Sequence, residues 1–185
     1  MTNPPSQGPQ LSPGPSPSPT SPSPSPSSGP NLRIGHGYDL HRLAPLAEDG
    51  PSTPVRPLII GGTRFEHTHG VIAHSDGDAL FHAVTDAILG ALALPDIGQL
   101  FPNPDPRHDA EDSSVFLIEA ARRARDAGWE VINLDTTVIL ERPKLGPHKP
   151  AIMRSLAQHL GIPTARVNVK GKTHEGVDAV GEGRA

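Results

Sequence analysis

The chain of 185 residues contains no cysteine. This absence excludes disulfides and thiolate zinc sites, and it leaves His, Asp and Glu as the available metal ligands. Aromatic residues make up only 3% of the chain, so its core must be built mainly from Leu, Ile, Val and Ala. No apolar run approaches the ~20 residues that cross a membrane, and no basic region followed by an apolar segment predicts a secretory signal. We therefore expect a cytoplasmic protein with no membrane partner.

The chain also lacks an excess of basic residues. Its net charge is -4, which gives no reason to expect nucleic acid as a partner. Residues 1–31 are dominated by Pro and Ser and have too little apolar surface to fold, so we expect a disordered tail before a single domain over 32–185. An inert solvated tail is favoured over a ligand for a proline-binding module.

Apolar periodicity and turn residues predict an α+β domain, in which helices pack on one face of a mixed β-sheet. The predicted strands are 32–35, 58–62, 63–66, 135–140 and 166–170. Three helices are predicted. The first begins near Asp76 with Ser75 or Asp76 as N-cap, the second runs from Ser113 or Ser114 to about Ala127, and the third spans 149–160. Residues 44–57 are rich in proline and are predicted to form a loop.

Histidines and carboxylates, by contrast, are dense in two segments, 36–41 and 74–86. In an extended backbone Asp39 and His41 point to the same side, and His82 on the first helix could complete a set of three ligands. Three protein ligands with one open position are typical of catalytic zinc. The spacing equally allows histidines that are hydrogen bonded at a helix end.

The first helix carries further polar candidates. Asp78, His82 and Asp86 recur every four residues, so either carboxylate could orient His82, although a solvated polar face is favoured by spacing alone. His74 and Ser75 precede the helix N-terminus, where backbone N–H groups and the helix dipole favour phosphate. Simple capping by Ser75 is the alternative, and the two roles are compatible.

Two loops contain residues suited to a phosphorylated ligand. Residues 169–176 combine two lysines, a threonine and a glutamate, which could hold a phosphate and a magnesium ion, although a solvated turn is favoured. Residues 142–148 form a stiff Gly/Pro loop whose backbone could contact a nucleobase edge.

Several motifs, in one fixed order from Leu32 to Glu175, resemble the 2-C-methyl-D-erythritol 2,4-cyclodiphosphate synthase family. They are His36-Gly37-Tyr38-Asp39-Leu40-His41, His74-Ser75-Asp76-Gly77-Asp78, Thr85-Asp86-Ala87, Asp96-Ile97-Gly98 with Phe101-Pro102, and Pro143-Lys144. The resemblance implies a homotrimer whose sheets face the threefold axis and whose active sites lie between adjacent subunits.

The reaction implied by the resemblance belongs to the non-mevalonate isoprenoid pathway. A phosphorus–oxygen lyase converts 4-diphosphocytidyl-2-C-methyl-D-erythritol 2-phosphate to 2-C-methyl-D-erythritol 2,4-cyclodiphosphate and releases CMP. An alternative is a catalytically impaired relative that binds metal or isoprenoid phosphates. An unrelated zinc hydrolase is disfavoured by the ordered motifs.

The resemblance also assigns roles to individual residues. It implies a divalent ion, usually zinc, on Asp39, His41 and His82, and a magnesium ion on Glu175 that bridges the α- and β-phosphates. His74 and Thr173 match the groups that stabilise the transition state. The positions that match substrate contacts are Asp39, His41, His74, Ser75, Asp96, Ile97, Gly98, Phe101, Asn103, Asp105, Leu140, Arg142, Pro143, Lys144, Leu145, Gly146, Lys172, Thr173 and Glu175.

The sequence departs from the family pattern in three places. Asn103 stands where a carboxylate is common, and only Thr173 remains of a threonine-rich run, with Lys172 and His174 beside it. Glu182 stands near the position of a family arginine. The final apolar strand of the family is missing from the sequence, and we expect that the sequence is truncated.

Overall fold

The computed structural model describes residues 31–46, 54–101 and 111–185. The predicted tail lies almost entirely outside these residues, so that prediction stays open. The compact unit described here is Arg33–Ala185. Within the described part of the chain, no helix is long and apolar enough to cross a bilayer.

Seven short strands form three hydrogen-bonded sets among the described residues. The strands are β1 (Leu43–Pro45), β2 (Val55–Arg56), β3 (Ile59–Ile60), β4 (Thr63–Arg64), β5 (His69–Ile72), β6 (Leu134–Ile139) and β7 (Val167–Lys172). Strand β5 lies between β1 and β2 in an antiparallel sheet, and β3 pairs with β4 as a hairpin. Strands β6 and β7 are parallel, in a register that runs from Leu134 opposite Val167 to Ile139 opposite Lys172.

Three long helices supply most of the core. The helices are α1 (Ala79–Ala91), α2 (Ile97–Leu100), α3 (Ser114–Asp126), α4 (Lys149–Leu160) and α5 (Asp178–Gly181). Helix α1 packs on α3, α3 packs on α4, and α4 packs on β7. Leu117 of α3 and both Ile152 and Leu156 of α4 are fully buried where these elements meet. The α+β class predicted from the sequence is therefore confirmed.

The two later long helices match the sequence prediction. Helix α4 has the predicted bounds, because Gly161 adopts a left-handed conformation (φ 71°) that ends it. Helix α3 begins after Ser113 and ends one residue before Ala127. The start of α1, however, differs from the prediction. Its N-cap is Asp78, whose side chain accepts hydrogen bonds from the backbone N–H groups of Leu80 and Phe81.

The first predicted strand, 32–35, is wrong. Residues 31–42 form no strand, and the backbone at Gly35 and Gly37 instead lies against α1. A Cβ atom on Gly35 would lie 1.7 Å from the carbonyl oxygen of Ala87, and one on Gly37 would lie 1.8 Å from that of Ala83. Only glycine permits this approach, which replaces the expected strand ladder. The described strands form three separate sets instead of the one mixed sheet that the sequence predicts.

The predicted loop over 44–57 is wrong in part. It contains β2 and most of β1, and β5 was not predicted at all. Proline disfavoured strands in this stretch, but Pro45 lies at the end of β1, an edge strand, where its missing N–H group removes little pairing. The hairpin predicted around residues 58–66 is confirmed as β3 and β4.

Candidate metal centre and active site

Three side chains from two distant segments converge at one point. Asp39 and His41 come from the extended segment before β1, and His82 comes from the first turn of α1. The Oδ2 atom of Asp39 lies 2.8 Å from Nε2 of His41 and 3.0 Å from Nδ1 of His82, and the two nitrogens are 3.3 Å apart. These three residues are called the metal triad below.

The donor atoms of the metal triad fit a divalent cation. One carboxylate oxygen and two imidazole nitrogens suit zinc, and three protein ligands leave one coordination position open. Ligand atoms around a tetrahedral zinc ion are about 3.3 Å apart, given bonds of about 2.0–2.1 Å. The observed separations of 2.8–3.3 Å therefore need only a small outward movement to admit an ion.

Electrostatics within the triad favours a charged carboxylate. Burial alone would raise the pKa of Asp39, but the hydrogen bonds and charges of His41 and His82 outweigh it and hold the pKa far below its usual range. Burial likewise lowers the pKa of His41, but the Asp39 carboxylate and a backbone hydrogen bond with Ile72 raise it overall. An anionic oxygen therefore faces the point where the three donors meet.

The ring of His82 has a different set of partners on its other side. Its Nε2 atom lies 2.8 Å from Oγ of Ser113 and 3.4 Å from Oγ of Ser75. The Ser113 hydroxyl in turn donates a short hydrogen bond to Oδ1 of Asp76. Residue Ser113 was predicted only as a helix cap, and the sequence offered no signal for this contact.

The sequence proposal that Asp78 or Asp86 orients His82 is wrong. Asp86 accepts a hydrogen bond from the backbone N–H of Ile97, and so fixes the start of α2. The carboxylate of Asp78 is fully buried and accepts from four backbone N–H groups, those of Gly61, Gly62, Leu80 and Phe81. Burial raises the pKa of Asp78 to about 6, although the backbone hydrogen bonds act to lower it. Asp78 thus joins the turn between β3 and β4 to the start of α1.

A cavity of about 390 Å³ opens beside the metal triad. It collects eight residues that the sequence singled out, which are Asp39, His41, His74, Ser75, His82, Ile97, Gly98 and Phe101. Three further lining residues, Ile72 at the end of β5, Ala73 directly after it and Phe116 in α3, were not predicted, since such apolar residues resemble ordinary core. The cavity therefore combines metal-ligating atoms with an imidazole, a hydroxyl and an apolar wall.

Three predicted substrate contacts lie elsewhere or outside the described residues. Asp96 is exposed and caps the short helix α2, where its side chain accepts from the backbone N–H of Gln99. Asn103 and Asp105 fall in 102–110, outside the described residues, so their predicted roles stay open.

The remaining predicted residues lie on two adjacent segments, which are called the paired loops below. One is residues 140–146, directly after β6, and the other is residues 172–176, which begins at the last residue of β7. They are adjacent because β6 and β7 are parallel and end side by side. The backbone N–H of Leu140 donates to the carbonyl of Lys172, and the N–H of His174 donates to Oε1 of Glu141. None of the described residues of the paired loops lines the cavity.

Side chains in the paired loops contact one another locally. The hydroxyl of Thr173 donates to Oε1 of Glu175 over 2.6 Å, and His174 bonds to Asp178 over 2.9 Å. The other predicted contacts differ in burial. Arg142, Lys144, Gly146 and Lys172 are exposed, Leu140 and Pro143 are half-buried, and Leu145 is buried.

Comparison with known proteins identifies the family. The YgbB family model matches residues 32–185. A chloroplastic 2-C-methyl-D-erythritol 2,4-cyclodiphosphate synthase of Catharanthus roseus is 54% identical over 84% of this chain and 62% of its own length. The synthase of Bordetella avium is 51% identical over 81% of this chain and 87% of its own. The chain thus spans less than two thirds of the first of these relatives.

Solved structures agree with the sequence relatives. The CDP complex of Plasmodium falciparum IspF is similar with a TM-score of 0.68 at 36% identity, over 82% of this chain and 88% of that one. A CDP-bound 2C-methyl-D-erythritol-2,4-cyclodiphosphate synthase gives a TM-score of 0.69 at 45% identity, over 78% of this chain and 91% of that one. The chain therefore belongs to the YgbB family, which includes the 2-C-methyl-D-erythritol 2,4-cyclodiphosphate synthases.

Proposed function

We propose that the protein is a metal-dependent 2-C-methyl-D-erythritol 2,4-cyclodiphosphate synthase. The 2-phosphate of 4-diphosphocytidyl-2-C-methyl-D-erythritol 2-phosphate attacks the β-phosphorus, the bond from that phosphorus to the bridging oxygen breaks, and CMP leaves with the oxygen. The observation that carries this proposal is the convergence of Asp39, His41 and His82 beside a cavity, in a chain about 50% identical to named synthases.

The metal triad is proposed to hold a divalent ion, for which zinc best fits the donor set. When bound, such an ion supplies positive charge against the phosphate oxygens. His74 and Ser75, which line the same cavity, are proposed to orient the phosphate and methylerythritol portion. Ile97, Gly98 and Phe101 form the cavity wall that limits where that portion can lie. Positioning is the main requirement, because nucleophile and electrophile belong to one molecule.

The paired loops are proposed to bind the cytidine diphosphate portion. Residues 140–146 would surround the cytidine, and Lys172 and Thr173 would contact the phosphates. Glu175 would hold a magnesium ion, which would supply positive charge to the diphosphate. The CDP-bound relatives support a nucleotide ligand of this kind.

We further propose a homotrimer in which the paired loops of one subunit complete the cavity of the next. The position of these loops away from the cavity lining within one chain supports this arrangement. A cytoplasmic location also remains a prediction, since the plant relatives are named as chloroplastic. Light scattering of the purified protein should give three times the mass of one chain, and a monomer that turns over substrate would contradict the shared site.

The decisive experiment measures CMP released from the methylerythritol substrate by the zinc-loaded protein. We expect release that stops after chelation and resumes when metal is returned. A His82→Ala variant serves as the matched control, because it removes one ligand and leaves the substrate loops unchanged. Binding of metal and CDP without CMP release would overturn the proposal and support the impaired relative instead.

A further inference from the structure

The buried hydroxyl of Ser113 lies between the metal triad and a carboxylate. The side chain of Ser113 is fully buried, and its Oγ atom is 2.8 Å from Nε2 of His82, the ring nitrogen that faces away from the triad. Asp76 lies on the far side of the hydroxyl and accepts a hydrogen bond from it. The three residues form one hydrogen-bonded row, although Ser113 is 31 and 37 residues distant from the other two in sequence.

The direction of the protons in this row is fixed by Asp76. An ionised carboxylate only accepts hydrogen bonds, so the single Ser113 proton must point to Oδ1 of Asp76. The backbone N–H of Ser113 donates to Oδ2 of the same carboxylate over 3.1 Å, which holds the serine in place. The lone pairs of Oγ therefore face His82, whose Nε2 atom must carry the proton.

With the Nε2 proton directed at Ser113, Nδ1 of His82 is the nitrogen that would ligate a metal ion, and without the ion Nδ1 can donate to Asp39. That atom is the one that lies 3.0 Å from Oδ2 of Asp39 and 3.3 Å from Nε2 of His41. A histidine that ligates a metal commonly donates its other N–H group to an oxygen, which fixes the ring and its tautomer. Ser113 occupies this position for His82.

Helix capping does not account for the buried hydroxyl. Ser113 stands at the N-cap of α3, but its side chain makes no capping hydrogen bond. The neighbouring Asp112 instead accepts from the backbone N–H of Ser114 through its side chain. The hydroxyl of Ser113 is therefore not used by its own helix, and its hydrogen-bond partners are Asp76 and His82.

We propose that Ser113, held by Asp76, is a positioning residue that sets the tautomer and ring orientation of His82 for metal binding. The inference rests on the metal assignment of the proposed function. It adds two residues that contact neither metal nor substrate to the requirements of the site. Asp76 also accepts the backbone N–H of Asp78, so substitution of Ser113 gives the cleaner test.

The test compares the affinity of the full chain for Co²⁺, read from its visible absorption, and for Zn²⁺, by competition with a chelator. Ser113→Ala should weaken both by about 10- to 100-fold, the loss typical when the partner of a metal-bound histidine is removed. Ser114→Ala, one residue later and outside the row, is the matched control and should leave both affinities unchanged. Thermal unfolding of the metal-free proteins checks that Ser113→Ala folds normally.

The isosteric pair Ser113→Thr and Ser113→Val covers the case in which Ser113→Ala is poorly folded. Both variants add the same bulk, so the weaker metal binding expected for Val against Thr isolates the hydroxyl. Equal affinities within the pair, or a Ser113→Ala variant that binds like the unmodified chain, would overturn the inference alone. An unmodified chain that binds neither ion would overturn the metal assignment and this inference with it.

Discussion

The metal triad and the paired loops hold their polar side chains in different ways. Asp39 and His82 are 43 residues apart in sequence, and the core packing that positions α1 brings them together. In the paired loops, Thr173 bonds to Glu175 only two residues away. The triad side chains are 13–28% exposed, whereas His174 of the paired loops is 34% exposed and its partner Asp178, in α5, is 53% exposed.

This difference separates two kinds of binding site. Tertiary contacts fix the triad before any ligand arrives, so its geometry belongs to the folded chain. The hydrogen bond between the Thr173 and Glu175 side chains is local and exposed, so we expect it to exchange partners more readily than the contacts of the triad. We therefore expect metal binding and substrate binding to respond separately to mutation.

The largest effect should come from removing a triad ligand. Loss of a residue that only hydrogen bonds to a metal ligand weakens metal binding by up to about 100-fold. His82→Ala removes a ligand itself, so it should weaken Co²⁺ binding further, and CMP release should fall to background. Titration with Co²⁺ and a CMP assay measure the two effects. His74→Ala is the control, since it lines the cavity outside the triad and should retain metal affinity. Equal losses of Co²⁺ affinity in the two variants would contradict the triad assignment.

Removal of the Asp78 carboxylate should destabilise the start of α1, which carries His82 of the metal triad. Asp78→Ala leaves four backbone N–H groups without their acceptor, and we expect a loss of at least about 3 kcal/mol in the free energy of unfolding. Urea unfolding measures the loss. Asp86→Ala removes one such bond and should cost about 1 kcal/mol. Similar costs for the two variants would show that the number of backbone donors is unimportant.

The same carboxylate predicts a pH dependence of stability. The pKa of Asp78 is about 6 in the folded chain and near 3.8 in the unfolded chain, so the folded chain binds more protons than the unfolded chain between these pH values. Its contribution to the free energy of unfolding should therefore be complete below about pH 4. It should decline by about 3 kcal/mol as pH rises to about 6 and above. Urea unfolding of the unmodified chain, minus that of Asp78→Asn, isolates this contribution, and a difference that grows with pH would contradict it.

The smallest structural effect should come from the paired loops. Thr173→Val removes an exposed hydrogen bond and should change the free energy of unfolding by less than about 0.5 kcal/mol. Affinity for Co²⁺ should also stay unchanged, whereas CMP release should fall, since Thr173 is proposed to contact phosphate. Thr164→Val, in the turn before β7, is a control that should alter none of these. Weaker Co²⁺ binding by Thr173→Val would show that the metal triad and the paired loops are coupled.

Much of the site was accessible from sequence because residue type limits its chemistry. With no cysteine present, closely spaced histidines and aspartates were the available metal donors, and motif order indicated which of them meet. The helices α3 and α4 were also predictable, since their apolar residues recur with helical spacing and Gly161 ends the latter.

Contacts between distant segments that no motif indicates were not accessible. Nothing near Ser113 distinguishes a serine that supports His82 from one that caps a helix, because the deciding partner lies 31 residues away. The N-cap of α1 was misplaced for a similar reason. Three acidic or hydroxyl residues precede this helix, and only the position of the β3–β4 turn selects Asp78.

The close approach of Gly35 and Gly37 to α1 also determines the spacing of the metal triad, since Asp39 and His41 lie on the same segment as these glycines and His82 lies on α1. A side chain at Gly37 would meet the Ala83 carbonyl at 1.8 Å, so the backbones would have to separate by about 1.6 Å to restore ordinary contact at 3.4 Å. Metal–ligand bonds tolerate only about 0.2 Å of change. Gly37 therefore keeps the two backbones at the separation on which the proposed ion site depends.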